Sequence, residues 1–123
     1  DMTPRLDPDQ PTGLDYYPLL SPGERFPVRD PQLAPRLEPR PARPEAFFQA
    51  MLEGMARIEA AAYRRLAALG APSPLSVCSI GGGAGNAAWT RIRERELQVP
   101  MITSRHHDAA YGAALLAAGR VMA

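Results

Sequence analysis

Apolar residues recur at steps of three and four from Phe48 through Met51, Leu52, Met55, Ile58, Ala62 and Leu66 to Leu69. That spacing predicts one long amphipathic helix whose apolar stripe packs inward. Both ends are signalled: Pro44 suits a first turn, where a missing N–H costs nothing, Gly70 suits the position just past the end, and Pro72 blocks continuation. Glu53, Arg57, Glu59, Arg64 and Arg65 fall mostly away from the stripe and read as a solvated face without chemistry. Further on, Leu75–Ile80 is a short apolar and β-branched run between Pro74 and the glycines at 81–83, which predicts a buried strand with Cys78 in the core. A second strand is predicted at Val99–Thr103. Between them Asn86–Leu97 reads as a helix, with Ala87, Ala88, Ile92 and Leu97 facing the sheet and five charged residues within Arg91–Glu96 facing water. This strand-helix-strand unit predicts a parallel pair with a right-handed crossover. A closing helix rich in small residues is predicted over Asp108–Ala118, with Asp108 at its N-terminal end, where a carboxylate suits the dipole, and with alanines that permit close packing.

Residues 1–43 lack such periodicity. Eleven of the 14 prolines lie within residues 1–44, and proline cannot sustain regular ladders. Leu14, Tyr16, Tyr17, Leu19, Leu20, Phe26 and Val28 nevertheless supply too much apolar surface for a plain linker, so the stretch is expected to dock on something. Ser21-Pro22-Gly23 suggests a turn between two extended arms, Tyr16–Leu20 and Arg25–Val28, as a hairpin. The chain therefore divides into a proline-rich extended segment, 1–43, which reads as cut from a longer protein and packed against something, and an α/β domain, 44–123.

Composition changes the picture mainly by exclusion. With 123 residues, 14 Lys+Arg and 13 Asp+Glu, the formal charge is +1, so no field of one sign steers the chain to nucleic acid or an anionic membrane. The single cysteine excludes an internal disulfide and a cysteine metal cluster, and suits a reducing cytoplasm. No signal segment and no apolar run of about 18 residues is present. One core is the ceiling for this length.

The chemistry concentrates in Gly81-Gly82-Gly83-Ala84-Gly85-Asn86, where a strand turns into a helix. Such a turn offers free N–H groups and the positive end of a helix dipole to an anion, and nucleotides are bound this way. Glycine lets the backbone approach a phosphate or a flat base, and Asn86 can cap the helix or meet a base edge. The competing reading is a tight structural turn with close helix packing. No Lys follows, so this is not a P-loop, and it is not a clean dinucleotide fingerprint, whose acidic ribose partner would come from near Asp108. A methyltransferase or dinucleotide enzyme would need a complete doubly wound sheet. His106 and His107 read as a solvent-exposed loop and not a metal site, because no third ligand stands at the right spacing. Trp89 reads as a packing anchor beneath the loop or a contact to a base.

The string Ile80-Gly81-Gly82-Gly83-Ala84-Gly85-Asn86-Ala87-Ala88-Trp89-Thr90-Arg91-Ile92-Arg93 resembles the adenosine-binding motif of FGGY carbohydrate kinases. Phe48–Ala56, Val99-Pro100 and Asp108–Ala114 resemble the family's preceding helix, next strand and last small-residue helix, so the likeness spans about residues 45–119. Thr12–Leu19 looks most like ribulokinase and xylulokinase-like members.

The resemblance implies the C-terminal half of a ribonuclease H-like, actin-like ATPase fold, a partial sheet with flanking helices. It implies an ATP- and Mg²⁺-dependent kinase of a ketopentose, xylulose or ribulose, or a similar polyol, inactive without its N-terminal sugar-binding domain and cytoplasmic. Gly81, Gly82 and Gly83 would bring backbone against adenosine and phosphates, with Ala84 and Gly85 in the same loop and Asn86 on the adenine side. Gly112 would let the last helix pack closely. The expected partners are ATP and a sugar, with no nucleic acid and no membrane; association into a homodimer stays open. The catalytic base is expected outside the chain, and Asp1, Asp7, Asp9 and Asp15 are surface residues. Three positions depart from the family pattern: Gly85 replaces a common Arg, Lys or Ser, Arg95 a frequent Asp, and Gln98 a helix-ending Gly, so the exit before Val99 is expected to be less well formed. The alternative is a non-enzymatic nucleotide- or protein-binding module of the same fold.

Overall fold

The computed structural model describes residues 2–119. A short 3-10 turn, Thr3–Arg5, is followed by an irregular segment and then by helix α1 (Pro44–Ala68), strand β1 (Val77–Ser79), a 3-10 turn (Gly82–Gly85), helix α2 (Ala87–Leu97), strand β2 (Met101–Thr103) and helix α3 (Ala109–Ala117). The strands are shorter than their apolar runs suggested, but they pair in parallel, Val77 with Met101 and Ser79 with Thr103. Helix α1 ends as expected: Gly70 takes φ +96°, its N–H bonds to Ala67 O at 3.0 Å and that of Ala71 to Leu66 O at 3.0 Å. These two bonds close the last turn on the carbonyls that a helix end leaves unpaired.

The face of α1 that is buried differs from the stripe read in the sequence. Gln49, Ala50, Glu53, Gly54, Ala56 and Ala60 are buried, whereas Met55, Leu66 and Leu69 are exposed. The physical cause lies in the proline-rich segment. A chain that cannot form ladders leaves N–H and C=O groups to satisfy, and α1 supplies side chains for them. Gln49 accepts from Asp7 N at 2.8 Å and donates to the carbonyls of Asp7 at 2.8 Å and Gln10 at 2.9 Å. Glu53, 1% exposed, accepts from Thr12 N at 3.2 Å and Thr12 Oγ1 at 2.5 Å. Arg57 donates to Leu14 O at 2.9 Å. Glu53 is thus a buried anchor and not part of a solvated face. Small residues on the same face let the partner elements approach closely.

Two of the charged residues expected to face water on α2 turn inward, Arg95 to the proline-rich segment and its Glu53 anchor and Arg93 to α1 and β1. Arg95 Nη2 meets Glu53 Oε1 at 3.2 Å while Nη1 donates to Pro8 O, and Arg93 pairs with Glu59 of α1. Helix α2 packs on α1 and meets β2, and its Ile92, which is fully buried, forms a thin core with Ala56, Ala60, Ala88 and Val77. Removing the Ile92 side chain from water stabilises the fold by about 2–3 kcal/mol. Gln98 forms the exit of α2 after all: it takes the left-handed conformation at φ 55° and its N–H bonds to Glu94 O at 2.9 Å.

The segment before α1 docks through Tyr16, 1% exposed, whose hydroxyl donates to Pro39 O at 2.6 Å and whose ring meets Phe47 edge-on at 5.7 Å. The expected hairpin does not form. Tyr17 pairs instead with Arg36, and Glu24 with Asp30, as isolated antiparallel bridges. Pro18 and Pro27 remove N–H donors from the two expected arms, and each bridge uses a pair of residues that both keep theirs. Cys78 is exposed, because it alternates along β1 with buried Val77 and so lies on the opposite face of the sheet. Helix α3 has no buried residue, and a Cβ at Gly112 would meet open space, so the close packing expected of it is absent among the described residues. No helix there is long and apolar enough to cross a membrane.

Candidate functional site

The glycine run sits at the carboxyl end of β1, where the chain leaves the sheet for α2. Gly81 has φ 83° and ψ −174°, a conformation essentially reserved for glycine. Its N–H donates to His107 O at 2.6 Å, which ties this loop to the one following β2. The next four residues coil as a 3-10 turn, with Ala84 N bonded to Gly81 O at 3.1 Å and Asn86 N to Gly83 O at 3.2 Å. In the first turn of such a coil the N–H groups of Gly82 and Gly83 have no preceding carbonyl within the helix to bond. A Cβ added at Gly82 or Gly85 would meet nothing within 4 Å. The result is a bare stretch of backbone, open on one side, at the start of a helix.

Asn86 caps α2: its Oδ1 accepts from Trp89 N at 2.9 Å, while Nδ2 reaches Thr3 Oγ1 only at 3.5 Å. The sequence left a cap and a base-edge contact open, and the cap uses the amide oxygen. Trp89 lies beneath the turn, with Cδ1 and Nε1 3.6 Å from where a Cβ on Gly83 would stand. Asp108, the candidate ribose partner, is the N-cap of α3, its Oδ1 accepting from Ala110 N at 2.9 Å. His106 and His107 are exposed, as expected, and His106 stacks on Tyr111 at 3.6 Å. Among the described residues no cluster of His, Cys, Asp and Glu could hold a metal ion. Asp9 pairs with Arg91 at 2.9 Å and Asp15 with Arg36 at 2.7 Å, both at the surface. Asp7 is exposed too, and Asp1 lies outside the described residues.

Sequence reasoning missed the support under this loop. Arg93 is a bidentate partner of Glu59, with Nε to Oε2 at 2.7 Å and Nη2 to Oε1 at 2.6 Å. Its remaining nitrogen donates to Ser79 Oγ at the end of β1, and its guanidinium stands 5.4 Å from the Trp89 ring centroid. The Glu59 hydrogen bond holds the guanidinium above its ordinary pKa, against the effect of burial. A charged residue three or four positions after a loop-supporting Trp was visible in the sequence, but its partner 34 positions away was not.

Two hollows flank the loop, one of about 50 Å³ reaching Ser79, Ala84 and Thr103, the other of about 190 Å³ along Ile80, His106 and Tyr111. Both fall short of the ~300–1,000 Å³ of a pocket that encloses a ligand, so neither hollow encloses a ligand by itself. A roomier cavity of about 410 Å³ opens between Tyr63, Ser73, Glu96 and Gln98. It lies at the entry ends of the strands, away from the glycines, and has no claim on their chemistry.

A parallel strand pair, a glycine turn and a capped helix start define an α/β domain of the kind that presents backbone N–H groups to an anion. The particular lineage follows from comparison: the family described as FGGY family of carbohydrate kinases, C-terminal domain, matches residues 5–120. The chain belongs to that family, and with it to the actin-like ATPase fold. The match reaches back through the proline-rich segment to residue 5, beyond the 45–119 stretch over which the motifs resemble the family. The segment and the α/β part are therefore covered by one family domain, in keeping with the Gln49 and Glu53 anchors that join them.

Proposed function

We propose that this chain is the nucleotide-binding wall of a kinase that phosphorylates a ketopentose, xylulose or ribulose, or a similar polyol, with Mg-ATP as donor. Gly81, Gly82, Gly83, Ala84, Gly85 and Asn86 form the contact, and an N-terminal domain outside the chain supplies the sugar site and the catalytic base. One observation carries the reading: a glycine-only backbone conformation at Gly81 leads into a turn whose side-chain positions at Gly82 and Gly85 are empty. A phosphate or an adenosine can fill that space, and the first-turn N–H groups and the α2 dipole favour negative charge there.

The residues present fit a nucleotide better than a bare metal ion. Magnesium bound to the phosphates neutralises their charge during phosphoryl transfer, and the protein's share at this wall is to hold the donor in line by its backbone. Asn86 stabilises the start of α2, and the Gly81 N–H to His107 bond fixes the spacing between the two loops that border the site. Closure of the second domain would exclude water and bring the sugar hydroxyl to the donor, which is why the wall alone is expected to be inert.

The test is a ¹⁵N-HSQC titration of the 123-residue chain with Mg-ADP and Mg-ATP. Saturable shifts confined to the amides of residues 81–86 are expected. A folded sample in which those amides do not move up to millimolar nucleotide would leave the turn with a structural role only.

A further inference from the structure

The Arg93 guanidinium joins three elements, α1, β1 and its own helix α2. It is clamped by Glu59 of α1 through two bonds, at 2.6 and 2.7 Å, by Ser79 at the end of β1 through a third, and it stands over Trp89 of α2. Trp89 in turn is the side chain against which Gly83 rests. Arg93 is only 11% exposed and Glu59 26%, so their interaction is screened less than a surface pair. The neighbouring ion pair of similar sequence position, Arg91 with Asp9, is 58% and 66% exposed and touches no part of the loop. The two arginines thus sit two positions apart with different tasks.

We propose that the Glu59–Arg93 pair sets the shape of the glycine turn through Trp89, so that Arg93 and Trp89 are positioning residues for the nucleotide, a role that rests on the reading of residues 81–86 as its contact. The bidentate geometry fixes the guanidinium plane, and a fixed cation over an indole face orients the ring. The indole edge in turn limits how far Gly83 can sink. The Gly81 N–H bond to His107 O and the Asn86 cap hold the two ends of the loop, and Trp89 is the side chain that faces its middle at Gly83. Lysine at position 93 would keep the charge and lose the fork, so it separates shape from charge.

Trp89 is the single tryptophan of the chain, so indole emission comes from this position alone. The experiment compares the parent 123-residue chain with Arg93→Lys, Glu59→Gln, Trp89→Phe and, as control, Arg65→Ala at the exposed end of α1. Circular dichroism first establishes that each is folded. Without nucleotide, Arg93→Lys and Glu59→Gln are expected to shift the amides of residues 82–85 and the Trp89 emission maximum. With Mg-ADP, they and Trp89→Phe are expected to raise the dissociation constant about tenfold, in the range of couplings between contacting residues. The control changes neither. Folded Arg93→Lys and Glu59→Gln chains whose loop amides stay at their parent positions would overturn the proposal. Loop amides that respond to the variants in a chain that does not bind Mg-ADP would uphold the coupling and instead sink the nucleotide reading. Should Arg93→Lys fail to fold, Trp89→Phe carries the same test, because the indole stands on the side of Gly83 where a Cβ would lie.

Discussion

Gly54 stands in the middle of α1, and two physical effects pull a substitution there in opposite directions. Glycine in a helix interior costs about 1 kcal/mol relative to alanine, so helix propensity alone makes Gly54→Ala stabilising. The structure reverses the sign. A Cβ at Gly54 would stand 2.6 Å from the carbonyl oxygen of Tyr16, 3.1 Å from its carbonyl carbon and 3.0 Å from Pro18 Cδ. The obstacle is backbone, and that backbone is held on both sides. Tyr16 is buried with its hydroxyl on Pro39 O, and the N–H and C=O of Tyr17 are both paired with Arg36, at 2.8 and 3.0 Å. Overpacking of this kind costs about 1–3 kcal/mol, and a pinned neighbour puts it at the upper end, so the net loss is about 2 kcal/mol after the propensity gain of ~1 kcal/mol. Gly112→Ala is the companion variant: it lies within α3 with open space around its Cβ, and is expected to gain up to about 1 kcal/mol. Urea unfolding followed by circular dichroism measures both, and hydrogen exchange at the Tyr17 and Arg36 amides shows whether the docked segment has lifted. Gly54→Ala as stable as the parent, with the Tyr17 amide still protected, would refute the claim that the segment rests on a glycine window in α1.

Two further outcomes follow from the same geometry. Gly81→Ala forces a side chain into φ 83°, ψ −174° and is expected to cost about 1–3 kcal/mol, whereas Gly82→Ala, with nothing within 4 Å, leaves stability within ~0.5 kcal/mol and weakens Mg-ADP binding in the same titration; equal unfolding midpoints for the two would count against the strained loop. Glu45, in the first turn of α1, is held below its ordinary pKa first by its own backbone N–H and then by Arg5, so the stability it confers is present above its ordinary value of 4.5 and is lost as pH falls through the lower folded value. Glu45→Gln is therefore expected to lower the unfolding midpoint at neutral pH and to converge with the parent in acid, and a gap that stayed constant across urea titrations at both pH values would show that the carboxylate charge is not the cause.

Elements in which local signals agree were legible in the sequence, and those that depend on distant partners were not. Pro44, Gly70, Asn86 and Asp108 mark helix ends by what their own backbone or side chain can do within one turn, and each marks the element it was read to mark. The glycine turn was legible for the same reason, since a strand run, four glycines and a helix start are adjacent in sequence. The buried face of α1 was not legible, because hydrophobicity identifies which side chains avoid water and not which ones a proline-rich neighbour requires. Gln49 and Glu53 are buried as substitutes for a ladder that prolines forbid, so the signal for their burial lies about 40 residues upstream in residues 4–18. Met55 and Leu66 of α1, Leu69 just past its end and Leu116 of α3 extend the same logic outward: they are apolar yet stay 41–67% exposed, and exposed apolar surface of this kind marks a face that another surface can cover. A face selected to meet another domain carries the same hydrophobic period as a face selected to meet its own core, and periodicity alone cannot separate the two.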